Sequence, residues 1–336
     1  MATINDVAKR AGVSITTVSY VLTGKRFVSD DLKKRVHEAM KEVGYRRNNL
    51  ARSLRLGKTD TIGLVIPDSS NLFFAEISRN IEDIGFENQY TVFFCNSDDN
   101  PVKQSKYLDD LIAKQVDGII FISVSNNKSE LVQLKEANIP FVIVDRNETG
   151  LEADLVLLDN FAGGRLAVEE LISLGHTKIA CITGPSMSDP TAERYHAYRK
   201  VLEEHDIPLR PEYIATGDFR HKGGEMAMNQ LLRLPDPPTA VFVCNDMMAI
   251  GAIRAINKFG LRVPEDISII GFDNIPIAEA IMPALTTIAQ PIQLIAQKAM
   301  ELLFSRMRGD TSDFPQKITL VPELIKRDSC VPFSKQ

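Results

Sequence analysis

TINDVAKRAGVSITTVSYVL, residues 3–22, sets Ile4, Val7 and Ala8 on one face of a helix, places Gly12 after it, and sets Val18, Val21 and Leu22 on one face of a second helix. Two short helices around one tight turn follow from that spacing. Ala8 is small enough for the second helix to cross closely, Gly12 is free to take a positive φ in the turn, Val18 packs between the helices, and Ser14 stands where a hydroxyl caps the second helix. The pattern is a helix-turn-helix. A third helix is predicted from a Ser29 cap, with Leu32, Val36, Ala39, Met40 and Val43 as its apolar stripe and Gly44 as its stop.

Charge separates this segment from the remainder. Residues 1–60 hold 13 Lys/Arg against 6 Asp/Glu, net +7, in a chain of 336 residues whose formal net charge is -5. A basic segment alone is more often a solvated face than a nucleic-acid site. Here the outward face of the second helix adds polar and basic groups, and in such motifs the N-terminal end of that helix enters the major groove. Ile15 is placed to meet a thymine methyl, Thr16 to hydrogen-bond a base edge, and Tyr20 to do both; Ser19 and Arg26 are placed for phosphates. The stretch YRRNNLARSLRLGKT, residues 45–59, then carries an Asn cap and a short helical pattern ending at Gly57. So short a helix is unstable alone, and it reads either as a frayed linker or as an element that forms on DNA. Paired across a dimer axis, two such helices can enter the minor groove and wedge Leu54 between base steps, with Ala51 and Arg55 beside it.

From Thr61 the rhythm changes to β-rich runs alternating with amphipathic helices. TIGLVIP (61–67), TVFFCN (91–96), DGIIFIS (117–123) and PFVIVD (140–145) are followed by a second series through KIACITG (178–184), TAVFVCN (239–245) and DISIIGFD (266–273). This repetition predicts an α/β body of two lobes with two parallel sheets, behind an all-α headpiece. No glycine-rich phosphate loop follows a strand, and no nucleophile–base set or paired carboxylates stand out, so the pattern points away from an enzyme and from any cofactor. The five histidines read as surface residues. Cys95, Cys181, Cys244 and Cys330 are scattered without metal-ligand spacing and read as reduced and structural. Neither a membrane-length apolar run nor a signal-peptide core is present, which predicts a cytoplasmic protein.

Ligands of open α/β sheets sit at the carboxyl ends of the strands. The residues predicted there are Asn71, Phe73 and Phe74, then Asp145 and Arg146, Arg194 near a helix start, and Phe219, Asn245, Asp273 and Gln290. Taken singly, Phe73 and Phe74 read as core, and Asp145, Arg146 and Asp273 as caps or ion pairs. Together, three aromatic rings with amides, carboxylates and guanidinium groups describe a sugar site. Two Asp and two Arg sum to zero, which suits a neutral polyol rather than a sugar phosphate.

The segment Ile4–Gly57 resembles the headpiece and hinge of the LacI/GalR family of regulators, in detail its purine-repressor branch. The body from Thr61 to Arg327 resembles the periplasmic sugar-binding proteins. Within that fold the ribose-binding pattern has a counterpart for every one of the ten residues above, with Leu72 standing where proline is common. The resemblance implies a homodimeric repressor, ribose-operon-like, that is released from double-stranded operator DNA by a small sugar, D-ribose. It also implies divisions at 1–47 (headpiece), 48–60 (hinge), 61–160 with 291–321 (first lobe) and 161–290 with 322–336 (second lobe). The tail lacks the leucine heptads of a tetramer. The rival readings are a purine-type corepressor, a trigger by a phosphocarrier protein and, more remotely, a transport component.

Overall fold

The computed structural model describes residues 2–24, 26–45, 58–122, 128–145, 152–185 and 189–334, in two compact units, Met1–Thr59 and Asp60–Gln336. Helix α1 (Ile4–Ala11) opens on a capping box, in which Thr3 Oγ1 accepts from the Asp6 N–H and the Asp6 carboxylate accepts from the Thr3 N–H at 2.7 Å. Gly12 ends it at φ 64°, the left-handed backbone that the turn requires. Ser14 caps α2 (Ile15–Thr23) by accepting from the Thr17 N–H at 3.0 Å. α3 (Asp30–Glu42) follows Ser29, but the expected hydroxyl cap is not made; Asp30 and Asp31 in the first turn place negative charge at the positive end of the helix instead. Val7, Ala8, Ala11, Val18, Val36 and Ala39 are the buried core of the three helices. Arg35 Nη2 donates to Ala11 O at 2.6 Å and ties α3 to the end of α1.

The second unit begins β1 (Thr61–Ile66), α4 (Leu72–Glu87), β2 (Thr91–Asn96), α5 (Pro101–Ala113), β3 (Gly118–Ile122), α6 (Lys128–Glu136), β4 (Phe141–Val144) and β5 (Asp154–Leu158). It continues with α7 (Asn160–Ser173), β6 (Ile179–Thr183), α8 (Asp189–Glu204), β7 (Ile214–Thr216), α9 (His221–Leu232), β8 (Ala240–Val243), α10 (Asp246–Lys258), β9 (Ser268–Asp273), α11 (Ile277–Ala280) and β10 (Thr286–Ala289). It finishes with α12 (Ile292–Met307), β11 (Lys317–Leu320) and β12 (Glu323–Ile325).

Two six-stranded sheets result, ordered β11-β5-β4-β3-β1-β2 and β12-β10-β9-β8-β6-β7. In each, the order reverses beside the first strand laid down, β1 or β6, and that reversal opens a crevice at the carboxyl ends. β3, β4, β5, β6, β8 and β9 are buried along their whole length, as strands covered on both faces must be. The edge strand β2 leaves Phe93 and Phe94 exposed. α12 returns to pack on β3, β4 and β5, and β11 pairs with β5 in parallel.

The two parallel sheets are as the sequence predicted, and within the second the edge strand β12 runs antiparallel to β10. Only residues 321 and 322 separate β11 from β12, so the chain enters the second sheet at its carboxyl end and can only run back down. One departure is His176, which is buried rather than on the surface: Nδ1 lies 3.0 Å from Thr239 Oγ1, and Nε2 lies 3.1 Å from Ser268 Oγ and 3.2 Å from Val331 O. Its partners come from distant parts of the chain, so local pattern gives no warning of its burial. His37, His196, His205 and His221 are exposed. All four cysteines are free thiols, and burial pushes Cys95 up to about 11 and Cys330 up to about 12. No described helix is long and apolar enough to cross a membrane.

Candidate functional site

Strand ends of both sheets converge on a cavity of about 310 Å³. Asn71, Phe73, Phe74, Asp145, Arg194, Phe219, Asn245, Asp273 and Gln290, nine of the ten residues singled out by position, line it together. The tenth, Arg146, lies outside the described residues. Phe73 serves two roles, since it is buried in the core and also forms cavity wall, with the Phe74 ring edge-on to it at 5.2 Å. Asn71 caps α4 through its side-chain oxygen, which turns the aromatic pair inward at the helix start. Phe219 packs against Gly184 so closely that a Cβ there would collide with the ring. Asp145, Phe219 and Asp273 hold positive φ values of 73°, 63° and 119°, an unfavourable backbone for residues bearing a Cβ. Such strain gathers where side chains are aimed for binding.

The polar groups form one network. Arg194, buried, donates from Nε to Asn160 Oδ1 at 2.8 Å and from Nη1 to Cys244 O at 2.6 Å, and its guanidinium lies 3.6 Å over the Phe272 ring. Its Nη1 stands 3.8 Å from Asp273 Oδ1, the same oxygen that accepts from Gln290 Nε2 at 2.7 Å. Burial pushes the Asp273 carboxyl up to about 7, against the opposing pull of Arg194 and Gln290. The Gln290 Oε1 atom is buried with no hydrogen-bond partner. Asn245 spends part of its amide on structure: Oδ1 caps α10 through the Met248 N–H and Nδ2 donates to Phe219 O, leaving one N–H and one lone pair.

Asn160 and Phe272, which hold Arg194, escaped the sequence reading because they act through a partner on a different element of the fold and carry no local signature. Asp246 escaped it too; buried beside Asp273, its carboxyl is pushed up by burial and by that neighbour while it accepts from Thr287 Oγ1 at 2.6 Å. Asp68, Asp99, Asp218 and Arg220 also line the cavity and follow strand ends, a signal that was available. They alter the expected charge balance: among the described residues five Asp face two Arg, so the cleft is acidic rather than neutral. An anionic ligand is disfavoured more strongly than the zero sum implied.

In the headpiece, Ile15 and Thr16 are exposed at the start of α2, with Ser19 and Tyr20 half-buried further along it. Arg26 is exposed and stands 5.4 Å from the centre of the Tyr20 ring, and Phe27 beside it is almost wholly exposed. Ala51, Leu54 and Arg55 lie outside the described residues.

A helix-turn-helix unit joined in one chain to a two-lobed α/β body with a polar cleft defines the class of ligand-responsive DNA-binding proteins. Residues 3–48 match the bacterial regulatory proteins of the lacI family, and residues 168–330 match a periplasmic binding protein-like domain. The HTH-type transcriptional repressor PurR of Actinobacillus pleuropneumoniae serotype 3 is 40% identical over 330 residues, which is 98% of this chain and 98% of that protein. The lac repressor dimer bound to operator and the anti-inducer ONPF superposes with a TM-score of 0.86 at 28% identity, covering 98% and 99% of the two chains. A LacI family transcriptional regulator from Enterococcus faecium with bound ribose gives 0.75 at 33% identity, covering 82% and 100%. This chain belongs to the LacI family: it is a DNA-binding transcriptional repressor, not an enzyme.

Proposed function

We propose that the chain, as a homodimer, holds a near-palindromic operator and is released from it when a small neutral sugar, D-ribose, fills the cleft. The observation that carries the sugar is Gln290 Oε1, a buried acceptor without a partner, next to the raised carboxyl of Asp273 on a wall shared with three phenylalanine rings. A ring bearing several hydroxyls answers each feature. One hydroxyl donates to Gln290 Oε1, a second to Asp273, Arg194 and Asn245 donate to ring or hydroxyl oxygens, and Phe73, Phe74 and Phe219 cover the apolar faces. The acidic lining disfavours a phosphorylated sugar. The ribose-bound regulator from Enterococcus faecium supports this reading.

A second reading, a purine-type corepressor that tightens operator binding, is favoured by whole-chain likeness: the PurR relative is 40% identical, the ribose-bound regulator 33%. Flat rings can also lie between phenylalanines, and Gln290 and Asp273 can pair with a base edge. Titration calorimetry of the full-length protein with D-ribose, other pentoses, hexoses and purine bases separates the two. Binding of a purine with no response to any sugar would replace the first reading by the second. Operator affinity measured with the cleft empty and saturated tests the regulatory step, and equal affinities would refute it. On the DNA side, Ile15, Thr16 and Tyr20 read bases, Ser19 and Arg26 hold phosphates, and Leu54, flanked by Ala51 and Arg55, wedges the minor groove. Leu54→Ala lowers operator affinity and spares effector binding.

A further inference from the structure

The two walls of the cleft meet through Asp68 and Arg220. Asp68 follows β1 in one sheet and Arg220 precedes α9 beyond β7 in the other, and the arginine gives Asp68 Oδ2 two hydrogen bonds, 2.7 Å from Nη2 and 3.2 Å from Nε. Each partner is aimed by its own loop. Ser70 donates its hydroxyl at 2.6 Å and its N–H at 2.9 Å to Asp68 Oδ1, which leaves Oδ2 for the arginine. Asp218 Oδ1 accepts from the backbone N–H of Arg220 at 2.8 Å and of Gly223 at 3.1 Å, fixing the segment from which the guanidinium reaches across. The Asp68 side chain is only 13% exposed, so the pair is partly shielded even though Arg220 is 56% exposed. Both residues line the cavity.

We infer that Asp68 and Arg220 form an interlobe latch that closes the cleft over its ligand and governs how long the ligand stays. The two groups belong to different lobes, so hinge opening separates them, and their attraction counts only in the closed state. A ligand cannot leave until the pair parts. The latch therefore slows dissociation and leaves association nearly untouched. A two-pronged pair, half exposed, corresponds to roughly a two- to fivefold change in rate. Asp99 and Asp218 add attraction for the same guanidinium.

The inference takes its probe, D-ribose, from the function proposed above, and the test has one arm that does not depend on it. In stopped-flow measurements on the full-length protein, Arg220→Gln and Asp68→Asn each speed D-ribose release roughly two- to fivefold. The double variant releases no faster than either single one, Arg220→Lys falls between wild type and Arg220→Gln, and the differences shrink in about 0.5 M salt. Additive effects of the two substitutions, or a change in association instead of release, would overturn the latch. Without any ligand, hydrogen exchange over residues 67–72 and 217–224 is faster in Arg220→Gln than in wild type, and identical exchange would overturn it as well. If wild type fails to bind D-ribose, the sugar reading falls and the exchange comparison decides the latch alone.

Discussion

Gln290 donates from Nε2 to Asp273 Oδ1 at 2.7 Å, and in doing so its amide leaves Oε1 buried with nothing to accept. A buried acceptor without a partner costs about 1–3 kcal/mol, recovered when a ligand hydroxyl arrives. Gln290→Leu removes both the cost and the recovery. It lowers effector affinity by roughly tenfold or more, and because it also takes the Nε2 donor from buried Asp273 Oδ1, the melting temperature of the empty protein does not rise. Calorimetry and thermal melts on the same preparation check this; unchanged affinity would remove Gln290 from the site.

Asp273 makes effector binding depend on pH near neutrality. Burial raises its carboxyl to about 7 from an ordinary 3.8, so the folded chain keeps a proton that the unfolded chain has lost. The sign follows: this group's contribution to stability falls as pH rises from about 4 to about 7 and is level beyond. Ligand hydroxyls donate better to the ionised carboxylate, so effector affinity rises across the same neutral region. Asp273→Asn flattens that rise, weakens binding and raises stability above neutral pH. Affinity that stays constant from about pH 6 to 8 in wild type contradicts the assignment.

His176 has the opposite linkage. Burial lowers its pKa from 6.5, so the unfolded chain takes up a proton that the folded chain refuses, and stability is lost as pH falls below about 6.5. The ring holds the final segment through Val331 O, while Phe333 donates its N–H to Leu174 O at 2.7 Å and lies beside the imidazole. His176→Leu costs about 1–3 kcal/mol at neutral pH by stranding polar neighbours, and it abolishes the acid sensitivity of this region. Denaturant titrations at neutral pH and near pH 5 measure both effects.

In the headpiece, stability and recognition separate by position. Ser14→Ala removes the hydroxyl that caps α2 and costs about 1 kcal/mol, read as a lower headpiece unfolding midpoint. Thr16→Ala, at an exposed position in the first turn of the same helix, leaves stability within about 0.5 kcal/mol. It relaxes operator discrimination by about 1–3 kcal/mol, measured by competition between operator and unrelated DNA. Equal loss of both affinities would assign Thr16 to the phosphate backbone.

The sequence carried the helix-turn-helix and the α/β alternation because both depend on local spacing: Ile4, Val7 and Ala8, then Val18, Val21 and Leu22, repeat at helical intervals, and runs such as TAVFVCN are strand-length. Strand ends were visible for the same reason, and they led to Asn71, Phe219, Asn245 and Asp273. What escaped depends on distance in the chain. Asn160 reaches Arg194, Asp68 reaches Arg220, and His176 reaches Val331, each through contacts that no window of neighbouring residues encodes. The reversed edge strand β12 escaped for a different reason, since its direction is set by where the chain enters the sheet rather than by its own residues.

The late return of α12 and β11 to the first sheet has a consequence for biosynthesis. The headpiece core needs nothing beyond Tyr45, so it can close while the ribosome is still near the start of the message. The first sheet must wait, with β5 unpaired at one edge and β3 to β5 uncovered on one face, until the chain has emerged through Leu320. A translation stop just before Ile292 would release a fragment with a finished DNA-reading head on an unfinished, sticky body, a product suited to clumping and to degradation rather than to control.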